Sequence, residues 1–548
     1  MGLNQLLSTR QRRGNPGFTM RALAITRAIR PRNGKAFSVD ARTAVTAEEE
    51  AGLRYSSLTE APDRQTQPES SSQRSDNLMS WVWTYLITAL AFSLRIRNLS
   101  TPAGKVFDEF YYATEAHNIL RYGVEYGTDP SKYFTIAHPP LGKLFIAMGE
   151  VAFGASVTGW RLPAVIAGTL AVTVMIRVAR RLFRSTLLGC AAGLLLALDG
   201  MEFVFSRLAV LDIFLTLLIL LAFACLIRDH EARRELAAAQ SEESVKSGVR
   251  RLRQWLSVPG WRLGAAIFMG LAISVKWSAL WFIPGLLLYV IVSNHGLRAT
   301  DGSLRSSLSA AWRAVARLVM YSTVSVSVYV ASWTGWFLSP YGWHTHKGLI
   351  KPLWSSFLPD SLGYFLAYQM SMFTKGQGLM TGHPGASRPI DWLTSLEPYL
   401  VAELMNDDCS SNCGTSKILA LGTPILWWSF IPALVGCIFL LIVKRDKVAG
   451  VFAVTAAVGI FSWIPFSRDM YSFYALPALP FCILAVVRML ACLGALSAIP
   501  KRRFIGRTAI LVYVAVIGLT FAYFYPLYMG LPLTPSEVTG RMWLSNWK

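Results

Sequence analysis

Acidic side chains are scarce in this chain. Against 53 Lys+Arg there are only 32 Asp+Glu, and charged residues of both signs fill 16% of 548 positions. A soluble domain carries about a quarter of its residues as charge. With 53% hydrophobic residues and a mean hydropathy of +0.40, the composition excludes a soluble globular protein and specifies a polytopic membrane protein. The formal charge of +21 sits in particular loops, so it reads as membrane topology ahead of nucleic-acid binding. Cysteine is too sparse, at seven residues, for a disulfide framework. Cys190, Cys225, Cys437, Cys482 and Cys492 lie in apolar runs as small hydrophobes. Cys409 and Cys413 fall in a polar loop, where a short disulfide and two free thiols are equally open and a metal half-site is the weaker reading for want of a second pair. The seven histidines show no zinc spacing, and nothing in the sequence demands a metal or another cofactor. A Gly-rich phosphate loop, a Walker motif and a D-x-D pair are all lacking, which argues against a nucleotide-sugar donor.

Residues 1–77 are rich in Arg, Ser, Gln and Pro, with no long apolar run and no secretory-signal pattern, and are expected to form a disordered basic tail. Eleven apolar runs follow at about 79–97, 161–180, 186–205, 210–227, 260–276, 278–294, 318–338, 423–443, 448–466, 471–492 and 508–528, each read as a membrane span. With the tail in the cytoplasm, 36 of the 53 basic residues fall inside and 17 outside, which predicts N-terminus in and C-terminus out. Leu141 to Phe153 is too short to span and carries Lys143 and Glu150, so it is expected as an interfacial helix on the outer surface. Two large outer loops result, at about 98–160 and 339–422. The expected architecture is an all-α polytopic bundle over 78–530, with 531–548 as an external tail.

Charges near the hydrocarbon are costly and mark function. Here they gather on one side: Asp108, Glu109 and Arg161 flank the first outer loop, Asp199, Glu202, Arg207 and Asp212 surround the turn between the third and fourth spans, Lys276 ends the fifth, and Arg468 and Asp469 end the ninth. The absence of such groups near the midplane disfavours a flippase or transporter and favours an outward-facing catalytic cavity. Asp199, Glu202 and Asp212 either pair with Arg207 to tie helix ends together or serve the site. Arg207 and Lys276 point toward an anionic ligand at headgroup level, because a cation there holds a phosphate by charge-assisted hydrogen bonds. In Phe107-Asp108-Glu109, adjacent carboxylates supply one general-base candidate and a neighbour, or else a solvated pair on a surface helix.

The order of the short motifs is specific. F-D-E after span one, H-P-P-L-G-K at 138–143, G-W-R-L-P opening span two, S-R-L-A-V-L-D across the third turn and S-V-K-W after span five come first. His383-Pro384, Ser387-Arg388-Pro389 and Trp392, then Arg468 through Tyr474 with Pro477 and Pro480, follow. Together, over about residues 80–530, they resemble the polyprenyl- and dolichyl-phosphate-mannose protein mannosyltransferases of the membrane GT-C class. Eukaryotic members carry a large soluble domain in the second outer loop. That loop is only about 80 residues here, so the chain is similar to the shorter, actinobacterial members.

The resemblance implies an enzyme of the plasma membrane, active on its outer face, that moves mannose from polyprenyl-phosphate-mannose to Ser/Thr hydroxyls of secreted proteins as they leave a translocon such as Sec, with inversion. It implies Asp108 as the base and Glu109 orienting the acceptor or the loop. Arg207, Lys276 and Arg468 with Tyr474 would hold the donor phosphate, while Arg161 either binds donor or braces the first loop. His138, Asp212, His383 and Arg388 would position the acceptor or the loops, His138 chiefly as a rigid loop element. The alternative keeps the fold and changes the acceptor to a cell-wall glycan or glycolipid.

Overall fold

The computed structural model describes residues 78–125, 137–242, 260–294, 304–377, 382–404 and 416–547. The basic tail of 1–77 and Cys409 and Cys413 lie outside these described residues. Among the described residues, eight helices are long and apolar enough to cross a membrane, and three shorter apolar helices, Thr186–Ala197, Gly260–Val275 and Lys447–Phe461, overlap the third, fifth and ninth expected runs.

In chain order the elements that place the site are α1 (Leu78–Ile96), α2 (Glu109–Tyr122), α3 (Leu141–Phe153), α4 (Val157–Phe183), α5 (Thr186–Ala197), α6 (Gly200–Phe205), α7 (Asp212–Glu242) and α8 (Gly260–Val275). After them come α9 (Ile283–Asn294), α10 (Leu304–Ser332), α11 (Asp360–Gln377), α12 (Pro389–Trp392) and α13 (Leu479–Leu490). Interior and periphery differ sharply. In α4, α7 and the Ser472–Ala495 segment, 67–72% of the most apolar window is buried by neighbouring helices, whereas in the Ala314–Ser332 part of α10 none is. Small residues make the close interior packing possible: Ala164, Ala167, Gly168 and Ala171 all line the buried face of α4.

Three boundaries depart from the expected runs for local reasons. The third run breaks at Leu198, because Asp199 caps a new helix by accepting from the Glu202 N–H at 2.9 Å. The tenth opens as a 3-10 turn, Ser472–Ala478, around Pro477. The seventh ends at Ser332 rather than 338, and a separate short helix covers Thr334–Leu338. The fold is also not purely helical. In the second loop, β1 (Tyr399–Leu404) pairs antiparallel with β2 (Ser416–Ala420), with Tyr399 opposite Ala420 and a register shift between Leu400 and Ala402.

The segment expected as an interfacial helix is α3, with the same boundaries. Its exposed residues include Met148, Val151 and Phe153, while Lys143 and Glu150 are buried against protein. A Cβ on Gly149 would lie 2.2 Å from the Gly159 carbonyl oxygen and 2.5 Å from Pro163, so only glycine lets α3 approach α4 this closely. Within the C-terminal segment Trp547 is buried and donates from Nε1 to the Ser395 carbonyl at 2.7 Å.

Candidate active site

Asp108 sits at the N-terminus of α2, yet its carboxylate makes no capping hydrogen bond; its backbone carbonyl instead accepts from Tyr111 and Tyr112 at 3.0 and 2.9 Å. The side chain hydrogen-bonds with Tyr112 in place of capping its own helix. The residue before it, Phe107, has φ of 51°, a left-handed conformation rare for an aromatic residue. Packing holds it there: its ring lies 4.9 Å from Tyr399, 5.4 Å from Phe473 and 6.1 Å from Phe205. Burial raises the Asp108 pKa to about 6; the nearby Lys276 charge and a hydrogen bond with Tyr112 oppose the rise, and Asp212 adds to it.

Lys276 follows the end of α8, where the chain turns into the 3-10 segment Trp277–Phe282. Its Nζ donates to both carboxylate oxygens of Asp212, at 2.9 Å each, and lies 5.2 Å from the centre of the Tyr474 ring. Asp212 is the first residue of α7, where a carboxylate also meets the positive end of the helix dipole. Arg468 donates to the Tyr474 hydroxyl at 3.1 Å and to the Asp469 carbonyl at 3.3 Å. His138 is half-buried, and its imidazole is held below the usual histidine pKa by burial and by Lys276, Lys143 and Arg468. Asp108, His138, Asp212, Lys276, Arg468 and Tyr474, drawn from five separate parts of the chain, thus meet at one end of the bundle.

Other expected site residues do different work. Glu109 and Arg161 are fully buried against one another, with Arg161 Nε and Nη2 each 2.7 Å from a Glu109 oxygen. Arg161 also donates to the Leu99, Pro102 and Gly104 carbonyls, and Glu109 accepts from the Val106 and Ala209 N–H groups. These contacts tie the pair to the first loop, which supports the loop-holding alternative expected for each of them. Arg207, expected on a phosphate, donates instead to the carbonyls of Arg95, Arg97 and Asn98 and closes the end of α1. The carboxylates expected to pair with it have other partners: Glu202 pairs with Arg95, Asp199 accepts from Trp427, and Asp212 holds Lys276. His383 is exposed and stacks on Tyr399 at 5.7 Å, while the exposed Arg388 pairs with Asp391 on α12. These two belong to the rim of the second loop. The neighbouring Ser387 ties that rim inward by donating from its N–H to the Met470 carbonyl at 2.7 Å.

Residues 85–335 match the family model of dolichyl-phosphate-mannose-protein mannosyltransferase, and residues 361–547 match that of the C-terminal four-helix membrane region of protein O-mannosyltransferase. The chain is 33% identical over 498 residues to the polyprenol-phosphate-mannose–protein mannosyltransferase of Mycolicibacterium smegmatis, covering 86% of this chain and 94% of that one. To the Mycobacterium tuberculosis protein of the same name it is 33% identical over 504 residues, covering 86% and 93%. The chain belongs to the protein O-mannosyltransferase family. In fold it resembles the Saccharomyces cerevisiae protein O-mannosyltransferase complex bound to the sugar donor, with a TM-score of 0.66 at 15% identity over 87% of this chain and 93% of that one. The architecture is that of a GT-C glycosyltransferase.

Two features of this mannosyltransferase escaped the sequence. Tyr112 lies four residues after Asp108 on α2, a spacing that places both on one helix face, and this was the available signal. The second is a buried charge cluster. Lys143 on α3 donates to Glu115 on α2 at 2.8 Å, to Glu125 at 2.6 Å and to the His138 carbonyl at 3.2 Å. Burial pushes Glu115 up to about 7 despite the lysine. Nothing in a single sequence announces that 115, 125 and 143 meet.

Proposed function

We propose that this protein transfers mannose from polyprenyl-phosphate-mannose to Ser/Thr hydroxyls of secreted polypeptides at the outer face of the plasma membrane, as they emerge from the secretion machinery. The observation that carries the site assignment is Asp108: an uncapped carboxylate at a helix start, with a pKa raised toward neutrality and within the field of Lys276. In the reaction the acceptor oxygen attacks the anomeric carbon and its proton passes to Asp108. The bond from that carbon to the phosphate oxygen breaks, and the lipid phosphate leaves with the electron pair. A base with a pKa near 6 is matched to this task at neutral pH. Lys276 and Arg468 then face the charge that grows on the departing phosphate, in a site partly screened from water. The bidentate Lys276–Asp212 contact aligns the ammonium before donor arrives, and Tyr474 lies against both cations.

The test is transfer of labelled mannose from polyprenyl-phosphate-mannose to a Thr/Pro/Ala-rich peptide, in membranes holding wild type or Asp108→Asn. The expected result is label in the peptide with wild type and a loss of about 10²–10⁴-fold with the variant. Label arriving only in glycan or glycolipid would transfer the assignment to the alternative acceptor class. Undiminished transfer by the variant would remove Asp108 from the chemistry.

A further inference from the structure

The second loop contains a segment of inverted polarity. Between Pro352 and Leu358 the chain winds through short turns closed by the Ser355 N–H to Pro352 carbonyl bond at 2.8 Å and the Leu358 N–H to Ser355 carbonyl bond at 3.0 Å. These turns bury Ser355 completely, while Leu353 is 94% exposed, Trp354 61% and Phe357 80%; Ile350, just before, is 93% exposed. Hydrogen-bonded turns that tuck in the hydroxyl and turn out the large apolar side chains are unstable in water, because the hydrophobic effect drives the opposite arrangement. None of these residues belongs to a membrane-spanning helix.

We propose that residues 350–357 form an anchor inserted into the interfacial layer of the lipid bilayer. Three observations select lipid as the partner. First, the most apolar window of α10 has no buried residue, so lipid follows this side of the bundle up to Ser332. Second, that surface continues directly through the short helix Thr334–Leu338, whose last residue is 78% exposed, toward the segment. Third, Lys347 and Lys351 flank the apolar residues, with Lys347 Nζ 5.8 Å from the centre of the Trp343 ring and Lys351 Nζ 5.0 Å from that of Tyr364 while paired with Asp360 at 2.7 Å; lysines set against aromatic rings beside an exposed apolar run suit the headgroup boundary.

Insertion here has a consequence for the site. The anchor is followed by α11, whose Phe365 and Tyr368 pack with Trp333 and Trp336 in a separate aromatic core. From α11, Gln369 accepts from the Tyr329 hydroxyl at 2.5 Å. That hydroxyl in turn accepts from Trp277, the neighbour of Lys276, at 3.1 Å. Tyr368 reaches Glu125 in the first loop at 3.4 Å. Holding the anchor in lipid thus holds the second loop against both the first loop and the phosphate-facing lysine.

The test uses the full chain in phosphatidylcholine/phosphatidylglycerol vesicles, with an environment-sensitive fluorophore on Leu353→Cys, Ile350→Cys or Phe357→Cys, and on Ser536→Cys as an exposed control. Labelling of the unsubstituted protein supplies the background. The expected result is a blue-shifted emission at all three loop positions, quenched by nitroxide lipids labelled near the headgroup and protected from aqueous iodide, with the reverse pattern at 536. Iodide quenching at the loop equal to that at 536 would overturn the proposal. So would quenching that appears only on adding acceptor peptide, or only with protein concentration, which would assign the surface to a polypeptide or to a second copy. The measurement reads no sugar transfer, so its failure is separable from failure of the proposed reaction.

Discussion

Replacing Arg161 by Met is expected to unfold the first loop before it disturbs donor binding. Arg161 is fully buried and makes five hydrogen bonds: two at 2.7 Å to Glu109 and three between 2.9 and 3.1 Å to the carbonyls of Leu99, Pro102 and Gly104. Methionine fills a similar volume but leaves the Glu109 carboxylate buried beside only the Val106 and Ala209 N–H donors. Breaking a buried pair by removing one partner costs about 3–5 kcal/mol, because the remaining charge is uncompensated. Arg161→Met should therefore lose about that much in a denaturation experiment in detergent micelles. Glu109→Gln should lose less, since its amide oxygen still accepts while its amide nitrogen opposes one Arg161 donor. The double variant should be more stable than the sum of the two singles, with a coupling of about 1–3 kcal/mol. Turnover should fall in step with stability, because Glu109 adjoins Asp108 and fixes the start of α2. Arg161→Met with wild-type stability and a raised KM for the lipid donor would refute this reasoning and return Arg161 to the donor site.

Four further outcomes follow from the same geometry. If Asp108 is the base, as proposed, it must be deprotonated to act, so kcat/KM for peptide mannosylation should climb tenfold per pH unit at low pH and level off above about pH 6, the value to which burial raises its pKa. Its folded pKa lies above the ordinary 3.8, so the group favours the fold at low pH and loses that contribution as pH rises through about 6. Asp108→Asn should accordingly keep or gain thermal stability at pH 7 while losing transfer, in a melting assay run beside the activity assay. Lys276→Met should lower turnover about 10²–10³-fold and leave Asp212 as an unpaired buried carboxylate; adding Asp212→Asn should restore stability and not turnover, in paired melting and transfer assays. Gly149→Ala should cost about 1–3 kcal/mol in micelle denaturation, because its methyl group collides with the Gly159 carbonyl and Pro163 and pushes α3 off α4.

The family was legible because its motifs are local. F-D-E, H-P-P-L-G-K and S-V-K-W each carry their meaning within a few residues, and the family model covering 85–335 includes all three. Roles assigned to single charges travelled less well. Arg207 and Lys276 look alike in sequence, each a lone cation at the mouth of a turn, yet one closes three carbonyls at the end of α1 and the other lies beside Asp108. A cation's role depends on which acceptors the fold brings within about 3 Å, and for Arg207 those acceptors are backbone atoms some 110 residues earlier.

By itself the sequence determined that this chain lives in a membrane, where its apolar runs lie and where α3 begins and ends. Those properties depend on hydropathy over 10 to 20 consecutive residues, and every residue contributes to them independently of the rest of the fold. Tertiary structure alone decided that Glu109 meets Arg161, that Lys143 joins Glu115 to Glu125, that β1 and β2 pair within the second loop, and that the apolar residues after Ile350 face outward. Each depends on a partner remote in the chain or on which side of a turn faces the protein. Burial then multiplies the difference, since a charge that is inexpensive in water must find its partner once water is excluded.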